Sequence, residues 1–133
     1  MASAGQNVLW SLTYTSEVAD TPRYRLLSPG TEELTVKLPA ALGDYVLGAT
    51  AYSAITGVGR SVAIAEIGHV DVEAGEAIVR HTQVVAGTDG RLMALPAAPG
   101  TYNVAGISIS EAAAAGELVT VKLFPGNQVV VVV

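Results

Sequence analysis

The sequence predicts an all-β protein, a single-domain β-sandwich or β-barrel with little helix, spanning residues 1–133. Three observations predict it. Apolar and polar residues alternate at period two in several short runs, the signature of half-buried strands. Turn signals built on Gly, Pro and Asp-Gly recur about every ten residues, the spacing of sandwiches and barrels. High helix propensity is confined to Glu111-Ala-Ala-Ala-Ala115, which is too short to hold a helix without tertiary support and predicts a single turn or an ordered loop.

Val8, Trp10, Leu12 and Tyr14 alternate with Leu9, Ser11, Thr13 and Thr15, which predicts a first strand with one apolar face. Interior packing is expected for Trp10, Tyr14 and Tyr24, and residues 1–20 form a candidate N-terminal arm. Thr21-Pro22 breaks the strand. A second strand is expected over Arg23–Leu27, stopped by Ser28-Pro29-Gly30, and a third over Leu34, Val36 and Leu38 before Pro39. Pro39–Gly43 reads as a turn of helix or a loop, and Tyr45–Ile55 as a mixture of small and β-branched residues. Thr56–Arg60 is a glycine-marked turn into a strand over Ser61–Ile67.

Further along, Thr82–Ala86 and Arg91–Leu95 flank Gly87-Thr-Asp-Gly90, a strong hairpin signal. Pro96–Gly100 is a loop. Ile107 and Ile109 alternate with Ser108 and Ser110, and Val119, Val121 and Leu123 with Thr120 and Lys122. Pro125-Gly126 suits the centre of a type II turn, so Val129, Val130, Val131, Val132 and Val133 are expected to form the last strand of a terminal hairpin. Two segments about forty positions apart share Ala-Gly-Glu, at Ala74–Glu76 and Ala115–Glu117. In each the glycine is expected to supply a tight turn before a strand.

At 133 residues and 13.6 kDa the chain can bury about two-thirds of its unfolded surface in one core. It has no cysteine, so a disulfide framework and a thiolate metal site are both excluded. Half of its residues are hydrophobic and 14% are charged, against a usual value of roughly 25%. Such a composition favours an assembled protein. The net charge is −5 and the seven basic residues are scattered, so nucleic acid is not an expected partner. Residues 1–6 show no signal-peptide pattern, and the longest uncharged stretch, Leu92–Ser110, is broken by Pro96, Pro99 and Gly100. No membrane partner is expected either.

No motif assembles catalytic chemistry. His69, Asp71 and Glu73 would share one strand face and could ligate a metal, but the expected reading is a solvated polar face, with no metal and no cofactor. Gly57-Val-Gly59-Arg60 lacks the third glycine of a dinucleotide loop and the lysine of a P-loop. Gly106-Ile-Ser108-Ile-Ser110 fails the nucleophile-elbow pattern. The valine run is more informative. A strand apolar on both faces needs both covered, one by its own sheet and the other by a second sheet or a neighbouring subunit. A subunit contact through Val129–Val133 is expected.

Ala86-Gly-Thr-Asp-Gly-Arg-Leu92, Val104-Ala-Gly-Ile107 and Glu111-Ala-Ala-Ala-Ala-Gly-Glu-Leu-Val-Thr-Val121, with the earlier Val70–Val79, resemble the small capsid decoration or cement proteins of tailed double-stranded DNA bacteriophages. The resemblance covers residues 70–124. It implies a non-enzymatic virion protein, made in the host cytoplasm, that binds the major capsid protein on the outer capsid surface and stabilises the shell by bridging capsomers. It also implies a homotrimer. The residues expected at the capsid contact are Val8, Trp10, Leu12 and Tyr14, within the segment Met1–Tyr14. The alternative is a receptor- or glycan-binding module of a fibre or spike, with Trp10, Tyr45, Tyr52 or Tyr102 in its pocket.

Overall fold

The computed structural model describes residues 6–133. Among them there are eleven strands and no helix. The strands are β1 (Asn7–Ser16), β2 (Asp20–Thr21), β3 (Leu26–Pro29), β4 (Thr35–Lys37), β5 (Gly48–Ala49) and β6 (Ile55–Thr56). They continue with β7 (Ser61–Glu73), β8 (Gln83–Ala86), β9 (Leu92–Ala94), β10 (Gly100–Ser108) and β11 (Leu118–Val132). The all-β expectation holds. Nine strands form one sheet in the order β1-β4-β3-β5-β7-β11-β10-β8-β9, and β2 pairs with β6 apart from it.

An added β1–β7 pairing makes one half of the sheet close on itself as β1-β4-β3-β5-β7. The other half runs on from β7 as an open antiparallel sheet through β11, β10, β8 and β9. Two apolar clusters follow from this shape. Tyr14, Leu27, Val36, Ile55, Val62 and Ile64 fill one. The larger one includes Leu26, Ala65, Val70, Val84, Leu92 and Val119. Neighbouring strand residues point to opposite faces, so Leu26 and Leu27 divide between the clusters, as do Ala65 and Ile64. Strands β3 and β7 are therefore shared walls.

Two glycines make the closure possible by close approach. A Cβ on Gly48 would lie 2.0 Å from the Ala65 carbonyl oxygen, so only glycine lets β5 meet β7. Gly68, at φ 119°, sits where a Cβ would be 2.4 Å from the Asn7 carbonyl oxygen. Beside it the β1–β7 ladder slips twice, leaving Leu9 unpaired on β1 and Glu66 unpaired on β7.

Several local expectations are corrected. The strand expected over Arg23–Leu27 begins at Leu26, because Tyr24 has φ 71° and cannot continue an extended chain. Leu34 is exposed at φ 55°, so of its expected strand only Thr35–Lys37 pairs. Strand β7 runs past Ile67 to Glu73, because β11 pairs with it over residues 69–73. Gly116, at φ 95°, leads into β11 as expected, but no strand follows Gly75-Glu76. The two Ala-Gly-Glu segments instead bond to each other: the Ala74 amide donates to Glu117 O and the Gly116 amide to Ala74 O, both at 2.8 Å.

The terminal hairpin is also corrected. Leu118–Val132 is one strand that keeps its direction. Both halves pair with β10, Leu123 opposite Gly106 and Gln128 opposite Val104, so Phe124–Asn127 is an excursion between them. Gly126 and Asn127, at φ 76° and 56°, turn the chain back into line. The Asn127 side chain pins the excursion, accepting from the Val46 amide at 2.7 Å and donating to its carbonyl at 3.0 Å. The Gly87–Gly90 hairpin forms between β8 and β9 as expected.

Candidate functional site

Several residues able to do chemistry are engaged in holding the fold. Ser108 Oγ donates to the Val79 carbonyl at 2.8 Å and accepts from the Thr82 amide at 3.0 Å. Ser110 Oγ accepts from the Thr120 amide at 2.9 Å. Asp71, expected on a solvated face, is nearly buried and accepts from Thr120 Oγ1 at 2.7 Å. Glu73 Oε2 lies 3.2 Å from Arg25 Nη2 and 2.7 Å from Arg91 Nε, an ion triad that ties β7 to the residues just before β3 and β9. Among the described residues no three His, Asp or Glu groups gather as a metal site. His69 instead lines a shallow surface cavity.

The conspicuous surface is apolar and built on β1. Tyr14 sits where β4 closes the ring, and it is buried there with its hydroxyl donating to Glu66. Burial, and then that bond to the carboxylate, push its pKa up to about 12. Before Tyr14 the strand extends past the closure, so its apolar residues lose their cover. Leu9 is 70% exposed, Trp10 56% and Leu12 41%. Trp10 is thus exposed where interior packing was expected. Val8 is half-buried against the larger cluster. Residues 1–5 of the expected contact segment lie outside the described residues.

Two adjoining cavities flank this strand. One, of about 300 Å³, is lined by Leu9, Ile67, His69, Lys122 and Pro125 among others. The other, of about 220 Å³, is lined by Trp10, Tyr45, Leu47, Glu66, Ile67 and Pro125 with Gly126. Ile67 and Pro125 are common to both. Of the four aromatic residues named for a ligand pocket, Trp10 and Tyr45 come together here. Tyr52 is exposed elsewhere, and the Tyr102 hydroxyl donates to Ala98 O at 3.0 Å. Glu66 and Pro125 carried no sequence signal for this place. Glu66 reaches it through the slip in the β1–β7 ladder, and Pro125 through the excursion in β11.

The valine run forms a second apolar surface. Val129 to Val132 oppose Asn103 to Gly100 of β10. Val129 is 64% and Val131 65% exposed, Val133 is fully exposed, and Val130 and Val132 are half-buried.

No family model matches the chain, and no curated protein does. Among solved structures it is similar to the head fiber gp8.5 N base of bacteriophage phi29, with a TM-score of 0.61 and 26% identity over 90% of this chain and 97% of that one. The likeness supports a phage virion structural protein. It spans nearly the whole of both chains, so it reaches well beyond the residues that carry the sequence resemblance. A virion setting also gives exposed apolar strands a purpose, because large exposed apolar patches mark interaction surfaces.

Proposed function

We propose that the chain is a non-enzymatic structural protein of a phage virion that docks on the outer face of the head through the β1 surface. The likeness to a head fiber base carries this reading. Leu9, Trp10 and Leu12 supply the anchors, and the cavities beside them supply the relief into which a capsid loop fits. The major capsid protein is the partner. A second contact, through Val129–Val133, joins copies of the chain to each other, as a homotrimer in the arrangement that the decoration-protein resemblance implies. An ordinary protein interface buries about 1,600 Å² in total, and its energy concentrates in a few aromatic or apolar anchors. Several attachments per assembly then keep any single copy from leaving, by effective concentration alone.

Two forms of this role differ in what they do to the shell. A decoration protein bridges capsomers and strengthens them. A fibre base attaches and carries something outward, a form favoured by the name of the structural neighbour. Purified chain added to heads that lack it separates them. Co-sedimentation with the heads is expected, and so is its loss in Leu12→Asp. A rise in the temperature at which the heads release DNA marks bridging, whereas binding without such a rise marks a fibre base. Failure to sediment with heads, together with glycan-array binding, would replace head attachment by the receptor-binding alternative.

A further inference from the structure

Among the described residues, the valine strand has one paired edge and one bare edge. Its pairing with β10 covers residues 128–132, whereas the pairing of β11 with β7 is confined to Leu118–Lys122. One hydrogen bond fixes which groups are bare. The Asn103 amide donates to the Gly43 carbonyl at 2.8 Å, away from β11. In an antiparallel ladder, opposed residues aim their N–H and C=O groups either both toward the partner or both away. Asn103 opposes Val129, so the backbone polar groups of Val129 point outward, as do those of Val131 two residues on. No strand pairing among the described residues takes them up.

Soluble proteins blunt such an edge with Lys, Pro or a bulge. Gln128–Val133 has none of these. Its neighbourhood is also neutral, because residues 123–133 and residues 92–110, which include all of β10, carry no charged side chain. In a chain of net charge −5, this ribbon is where two copies meet with least repulsion. A strand docking here must be uncharged and apolar on both faces, and every copy of the chain supplies one. We propose that the edge of Val129–Val133 takes an extended strand of a second copy, hydrogen-bonded through the main chain of Val129 and Val131. This rests on the self-association reading above and names its mode.

The test pairs sedimentation equilibrium with amide exchange in the full chain. Val131→Pro removes an outward N–H and leaves the bonds of residues 130 and 132 to β10 in place, the one setting in which an edge strand tolerates proline. Val131→Thr keeps the amide and the strand shape. The expectation is that the parent chain associates and that its Val129 and Val131 amides exchange at least about tenfold more slowly than in dilute solution. Val131→Pro should need at least about tenfold more protein to associate, and Val131→Thr should still associate. Association with both amides exchanging freely overturns the strand-pairing mode and leaves self-association standing. A parent chain that stays monomeric at all concentrations overturns both. The exchange measurement needs no variant, so it decides the matter even if Val131→Pro does not fold.

Discussion

Glu17 holds the turn after β3 through one carboxylate. Its oxygens accept from Thr35 Oγ1, from the Glu32 amide at 3.1 Å and from the Thr31 amide at 2.7 Å. The Thr35 bond, followed by the Glu32 amide, lowers its pKa to about 2 from an ordinary 4.5. A depressed carboxylate pKa means stability that is present above pH 4.5 and lost as the pH falls towards 2. Glu17→Gln should flatten that acid limb in a plot of Tm against pH. Tyr14 has the opposite sign. Its raised pKa favours the neutral phenol, so its contribution is present below pH 10 and is lost as the pH rises through about 12. The tyrosinate absorbance of Tyr14→Phe should lack that late-titrating component. At Glu73 the anion faces two guanidinium groups, Arg25 being almost fully buried. Glu73→Gln should cost roughly 2 kcal/mol in chemical denaturation, because it leaves buried positive charge without its counter-ion.

At the scale of elements, β3 and β7 carry the fold as shared walls. Leu27→Ala opens a cavity in the smaller cluster and should cost about 3 kcal/mol. Gly48→Ala should do more damage, because its methyl group would drive β5 away from Ala65. Both effects are read from thermal unfolding. Strands with a clean period of two were legible in the sequence. Val119, Val121 and Leu123 are all buried, and the Asp89-Gly90 hairpin forms where expected. Features fixed by distant partners were not legible. Asp71 keeps the polar phase of the β7 alternation and reads as solvated, yet it is nearly buried, because Thr120 on the neighbouring β11 donates to its carboxylate. Pro125-Gly126 has the composition of a reversal, but Asn127, bonded to Val46 eighty-one residues away, makes it an excursion within one strand. Trp10 lies on a strand that alternation identifies, but alternation cannot say how far along it the ring closure reaches.

For the whole molecule, exposed apolar strands and sparse charge fit a protein that is complete only in an assembly. The sequence named β1 and the valine run, on both of which the fold leaves apolar residues exposed, but not Glu66, Ile67 and Pro125, which only the fold brings, with Tyr45, beside Trp10. Trp10→Ala should leave stability within about 0.5 kcal/mol, since the ring is largely in solvent. Its affinity for heads should fall at least about tenfold, the cost of removing an aromatic anchor. The most direct measurement is a cryo-electron microscopy map of phage heads mixed with the purified chain. Head attachment predicts density on the outer face of the shell with Leu9, Trp10 and Leu12 turned towards the capsid protein. Bare heads, or bound chains with β1 facing solvent, would contradict it.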